Sequence, residues 1–264
     1  MRIFPTIVTL ALVAGCSSTP SFSASAASPA PSIASSPPSS PPSPPPSSPT
    51  AAPSSRGPAT TDVPVIRFPV DGGGTFGFAT AGGPAIGTKG RLLTYRIGVE
   101  HGITGVDAAT FGDAVELIFT DPRSWPGTGN WRLRRAGQGE AFDFTIYLAT
   151  PATRDVLCGG GYDRYTSCRN GNTVVVNVAR WARGIPGYGA DLTAYRAYVV
   201  NHETGHRLGR GHELCPGPGR PAPVMQQQTL GLHGCVANPW PIVDGRPYAG
   251  RSGQYDDPTP SEQP

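Results

Sequence analysis

Five histidines occur in the 264-residue chain, and three of them fall within one short stretch, Asn201-His202-Glu203-Thr204-Gly205-His206-Arg207-Leu208-Gly209-Arg210-Gly211-His212. Two histidines four residues apart on a helix project from the same face, so the imidazoles of His202 and His206 converge, with Glu203 beside the first of them. The third cannot be reached by continuing the helix, because six more residues would carry His212 through about 600° and about 9 Å along the axis. The chain must turn back, and Gly209 stands where the turn is needed, since glycine takes the left-handed conformation without a Cβ clash. Three neutral imidazoles bind Zn2+ through single nitrogens and leave a fourth position open, the arrangement of a catalytic rather than a structural site. In such a site Glu203 is the residue placed to move a proton. His101 and His233 belong to no motif and read as structural or surface residues.

The elements that must position this stretch are legible in outline. Asp191 is a suitable N-cap for a ligand-bearing helix over 192–208, in which Tyr195, Tyr198, Val199, His202 and His206 share a face, so the face that enters the core also carries the ligands. Before it lies the strongest strand pattern in the chain, 173–178, preceded by the turn residues Asn170-Gly171 and followed by a glycine-rich loop over 184–189. Alternation predicts strands over 92–100, 131–135 and 142–148, the last with Phe142, Phe144, Ile146 and Leu148 on one face. Asp107 caps a helix over 108–119 that Asp121-Pro122 ends. Arg132, Arg134 and Arg135 read as a solvated strand face, and the glycines at 72–74 as loop or hairpin, with no strand-turn-helix context for a phosphate loop. The expected fold class is α+β: a twisted mixed sheet of four or five strands, two helices packed on it, and an irregular C-terminal subdomain rich in Pro and Gly.

Composition divides the chain. The apolar run 3–13 after Arg2 is too short to span a bilayer and suits a signal-peptide core. It ends in Leu12-Val13-Ala14-Gly15-Cys16, which resembles the lipobox of bacterial lipoproteins; the resemblance implies cleavage before Cys16 and lipid on its thiol. Residues 17–61 are almost wholly Ser, Pro, Ala and Thr, a disordered tether with polyproline character. The domain is then expected over 62–250, with a disordered tail over 251–264. A net charge of +3 is no electrostatic footprint for nucleic acid. Beyond Cys16 there are four cysteines, Cys158, Cys168, Cys215 and Cys235. An even number on an exported chain, without a closely spaced Cys-x-x-Cys pair, favours disulfides over metal ligation. Of the three possible pairings, Cys158 with Cys168 and Cys215 with Cys235 closes the shortest loops.

The full spacing His-Glu-x-x-His-x-x-Gly-x-x-His resembles the metzincin clan of zinc endopeptidases. That resemblance implies His202, His206 and His212 as zinc ligands, Glu203 as general base, and Met225 as the methionine of a tight turn beneath the metal. Two positions depart from or qualify the pattern. Gln227 stands where some metzincins place a tyrosine, and Glu213, after the third histidine, matches astacins in that position alone. The run from Cys215 through Met225 to Thr229 more closely resembles an uncharacterised actinobacterial family of secreted or lipid-anchored zinc-protease-like domains, over roughly residues 64–245. The expected function is therefore a zinc-dependent endopeptidase, monomeric, hydrolysing peptide or protein substrates while lipid-anchored to the outer face of the bacterial cell membrane, or released from it. The alternatives are a non-catalytic zinc-containing binding module of the cell envelope and a hydrolase of cell-wall peptides.

Overall fold

The computed structural model describes residues 64–260. The signal peptide, Cys16 and the tether over 17–61 lie outside the described residues, as do positions 62–63 and 261–264.

The described chain is a mixed α+β domain in which one sheet carries helices α1 (Ala108–Thr120), α2 (Pro151–Leu157), α3 (Val178–Arg183) and α4 (Leu192–Arg207). The sheet has six strands, more than the four or five expected: β1 (Phe76–Phe78), β2 (Arg91–Glu100), β3 (Trp131–Arg135), β4 (Phe144–Ala149), β5 (Cys168–Asn170) and β6 (Thr173–Asn177). The extra strands are β1 and β5, each three residues long and too short to show alternation, so they depend on the ladder of a neighbour. The order β1-β2-β4-β6-β5 is parallel in its centre and antiparallel at both ends. Strand β2 is the spine. Tyr95 is opposite both Arg135 of β3 and Phe144 of β4, and Val99 is opposite both Gly77 of β1 and Leu148 of β4, so β1 and β3 share one edge of β2. A separate hairpin joins β7 (Ile242–Val243) to β8 (Arg246–Pro247).

One face of β2 presents Leu93, Tyr95, Ile97 and Val99, all buried, to the stripe Phe111, Val115 and Phe119 of α1. Tyr95 meets Phe119 edge to face at 5.4 Å between ring centroids. Asp107 caps α1 by accepting from Thr110 N at 2.8 Å, and the helix ends at Asp121, as the sequence indicates. Strand β4 begins two residues later than expected. The side chain of Asp143 accepts from Thr94 N at 2.7 Å, and Phe142 is left 41% exposed, with the Arg96 guanidinium 4.2 Å from its ring centroid. The arginines of β3 are not all a solvated face. Arg135 shares the inward face with Leu133 and is buried against α1, bonded to Asp113 at 2.8 Å and to Glu116 at 3.1 Å.

Helices α2 and α3 are absent from the sequence reading for different reasons. Asn177 ends β6 and at the same time caps α3, accepting from Ala179 N at 3.0 Å, so the expected strand over 173–178 stops one residue early. The N-cap of α2, Thr150, makes no side-chain cap bond. That duty passes to Glu100 at the end of β2: its buried carboxylate accepts from Thr150 N at 2.7 Å, Thr153 Oγ1 at 2.6 Å and Gly74 N at 2.9 Å. A cap supplied from fifty residues away leaves no local signature.

Among the described residues no helix is long and apolar enough to cross a membrane. The cysteines pair as Cys158–Cys168 and Cys215–Cys235, the shortest-loop choice, and two disulfides point to an extracytoplasmic compartment.

Replacing Glu100 by Ala strands the buried Thr150 N–H and the Thr153 hydroxyl. Urea unfolding of Glu100→Ala is expected to show a loss of about 3 kcal/mol, because bonds to a charged acceptor contribute about 1.5–3 kcal/mol and orphaned donors add to the deficit. A loss below about 1 kcal/mol would refute the long-range cap.

Candidate metal centre

Helix α4 is capped by Asp191, whose side chain accepts from Ala194 N, and runs through Arg207. It lies across the sheet with Tyr195, Tyr198, Val199 and His202 buried and His206 partly so. Leu208 closes it, and Gly209 takes φ +87°. Arg210 N then donates to Gly205 O at 2.9 Å and Gly209 N to His206 O at 3.1 Å, the paired bonds of a Schellman ending. The turn reverses the chain and brings His212 back beside His206.

The three imidazoles converge. His206 Nε2 lies 3.2 Å from His202 Nε2 and 3.1 Å from His212 Nε2, and the three ligand atoms all fall within 4.8 Å of one another. Each opposite ring nitrogen faces an oxygen that can only accept: His202 Nδ1 lies 2.8 Å from Val224 O, His206 Nδ1 2.8 Å from Arg210 O, and His212 Nδ1 3.0 Å from Gln254 Oε1. These partners place the proton on Nδ1 and leave a lone pair on every Nε2. Three lone pairs aimed at one point repel each other unless a cation stands between them. Nitrogens around a tetrahedral ion at about 2.0–2.1 Å are about 3.3–3.4 Å apart, close to the spacing here, so the cluster fits a metal ion. Burial holds the pKa of both His202 and His206 below the ordinary imidazole value, the neighbouring ring adding to the effect on His202, and this favours the neutral form that binds metal.

Glu203 is buried beside the cluster, and none of the hydrogen bonds among the described residues uses its carboxyl group. Burial pushes its pKa up to about 8, against the opposing pull of Arg154 and Arg169. Met225 packs under α4 at Gly205, where an added Cβ would lie 2.4 Å from the Met225 sulfur and 2.8 Å from Trp125 Cζ2. The carbonyl before it, on Val224, is the one that orients His202, and Met225 O accepts from Glu213 N at 3.1 Å. The three glutamines that follow divide the work. Gln226 and Gln228 brace the loop from within, through Gly231 O and through Pro223 O and Asn238 O, while Gln227 lines the cleft.

The cluster opens into a cleft of about 440 Å³. Beyond the histidines, Glu203 and Tyr198, its lining comes from Arg154, from the 163–169 segment and from Gln227, Thr229 and Leu230. Of the 163–169 residues the sequence points only to Cys168, as a disulfide partner. Arg154 of α2 anchors that segment by bonding Asp163 at 2.7 Å and Thr166 Oγ1 at 2.8 Å, and Cys158–Cys168 closes the loop. Burial alone would raise the pKa of Asp163, but bonds from Thr166 and the Arg154 charge hold it below the usual carboxylate range. Arg169, on the edge strand β5, donates to His206 O at 2.8 Å. The remaining two histidines stay apart from the cluster: His101 meets Thr75 Oγ1, and His233 meets Asp257. The tail expected to fray after position 250 instead crosses the His212 loop as far as Pro260, and the signal for this, a glutamine that reaches a ligand from 42 residues away, cannot be read from spacing.

Fold and site together define a mixed α+β domain whose three-histidine cluster could hold a metal ion. A family model described as a protein of unknown function (DUF3152) matches residues 63–242, and the chain belongs to that family. No curated protein and no solved structure matches it.

Titration with a divalent metal is expected to raise the thermal midpoint of the wild-type chain, since a ligand bound only by the folded state stabilises it. His206→Ala should abolish that rise, and an equal rise in both would refute the cluster as the binding site. Gly205→Ala should lower stability by about 1–3 kcal/mol through the forced overlap with Met225 and Trp125, measured by urea unfolding.

Proposed function

We propose that the protein is a zinc-dependent endopeptidase of metzincin-like plan, acting on protein or peptide substrates outside the cytoplasmic membrane. The observation that carries this reading is a buried carboxyl group free of protein partners, on Glu203, next to three converging Nε2 atoms in an open cleft. A structural metal site has no need of such a carboxyl group. The ligand spacing, the reversal at Gly209 and the placement of Met225 under α4 support the metzincin-like plan.

His202, His206 and His212 would hold zinc through Nε2, each kept in the binding tautomer by its Nδ1 partner. Zinc in such a site polarises a carbonyl and makes water a stronger nucleophile. Glu203 would accept a proton from the attacking water at its carboxylate and return it to the leaving nitrogen. Tyr198, two turns of the face before His206, donates to Gln226 O at 3.0 Å and so ties the helix to the loop beneath it. The disulfide Cys158–Cys168 and Arg154 keep the 163–169 side of the cleft in place for substrate. Lipid on Cys16 would anchor the domain at the outer face of the membrane, with 17–61 as a spacer of up to about 140 Å.

The full chain loaded with zinc is expected to cleave members of a broad peptide library scored by mass spectrometry. Glu203→Ala should remove all cleavage, a loss of at least about 100-fold for a general base, with zinc still bound by elemental analysis. A wild-type chain that holds zinc and cleaves nothing would overturn the enzyme in favour of a zinc-containing binding module.

A further inference from the structure

Of the three Nδ1 acceptors, two are main-chain carbonyls, on Val224 and Arg210, and no side-chain substitution removes them. The third is a side chain, Gln254, and it comes from the C-terminal segment over 250–260. This segment is pinned along the loop that bears His212. Gly250 N donates to Glu213 Oε2 at 2.9 Å, Leu214 N to Arg251 O at 2.8 Å, and Gly253 N to His212 O at 3.1 Å. Ser252 pairs antiparallel with Glu213. Farther along, Tyr255 accepts from Cys215 N at 3.2 Å and stacks on His233 at 3.4 Å between ring centroids, and Asp257 meets His233 Nε2 at 2.7 Å. Cys215 and Cys235 are themselves disulfide-bonded, so the covering segment and the His212 loop meet across a covalent staple.

Residues 251–260 are mostly exposed and bury little apolar surface, so their order rests on these polar contacts. His212 is also the ligand that stands outside α4, on a loop, where nothing in the helix fixes its ring. We propose that the 250–260 segment is a strap that positions the third ligand, with Gln254 as the positioning residue that sets the Nδ1–H tautomer and ring orientation of His212 and thereby controls how tightly the metal is held. The inference rests on the metal-centre reading and extends it to a residue far outside the ligand motif. The strap adds nothing to the cleft lining around Glu203; its effect is on metal retention.

Zinc affinity of the full chain, measured by competition with a chromophoric chelator, tests the strap. Gln254→Ala is expected to bind zinc about 10–100-fold more weakly, the usual effect of losing the acceptor behind a ligating histidine, with an unchanged circular dichroism spectrum. Gln254→Glu, which also accepts from Nδ1–H, should restore the affinity to within a few-fold of wild type. Truncation after Gly250 should weaken binding at least as much as Gln254→Ala. The strap is overturned if Gln254→Ala binds as tightly as wild type, or if Gln254→Glu is as weak as Gln254→Ala. A wild-type chain that takes up no zinc would instead overturn the metal centre itself.

Discussion

The structure depends on one constraint: three imidazole lone pairs are held pointing at a common centre. Each ring is turned by a hydrogen bond on its far nitrogen, and without those acceptors the rings would rotate to trade Nε2 repulsion for contact with water. Most of what surrounds the site supplies or stabilises an acceptor. Val224 O is available because the loop after the third histidine returns beneath α4. Arg210 O is available because the Schellman ending at Gly209 folds the chain back over the last turn of the helix. One turn therefore both delivers His212 and orients His206.

The packing that keeps Val224 in place begins at Gly205. With no side chain there, Met225 and Trp125 approach α4 closely, and Trp125 Nε1 donates to Asn201 O on the same helix at 2.7 Å. Tyr188, Tyr195 and Tyr198 form a cluster whose hydroxyls reach Gln228, Thr229 and the Gln226 carbonyl. The loop over 223–238 has little regular structure, but buried amide and hydroxyl groups satisfy it from within. A network of this kind specifies one arrangement because each unpaired member would cost about 1–3 kcal/mol.

The cleft is bounded by two segments stabilised in unrelated ways. The 163–169 side is anchored by Arg154 and a disulfide, and it ends in the sheet edge β5. The 227–230 side continues the buried glutamine network. Between them Glu203 is held away from compensating donors, so burial dominates its protonation. The cleft between them is lined mostly by polar and charged side chains.

Local signals were sufficient for much of this protein. The i, i+4 spacing of His202 and His206, the left-handed residue at Gly209, the caps at Asp107 and Asp191, the alternation of β2 and β3 and the valine run of β6 are properties of neighbouring residues, and neighbours in sequence determine them. Loop length singled out the neighbour pairing of the cysteines as the shortest of three, and the fold decided it. What only the tertiary structure decided are features whose partners lie far apart in the chain: the Glu100 cap that makes α2, the Asp143 contact that delays β4, and the ordering of residues 251–260 across His212. A hydrogen bond between residues 40 or more positions apart leaves no periodicity and no spacing rule, because its geometry exists only after the core has brought the two segments together. The sequence by itself therefore determined which side chains form the cluster, and the fold determined what holds each of them in the orientation that makes a cluster useful.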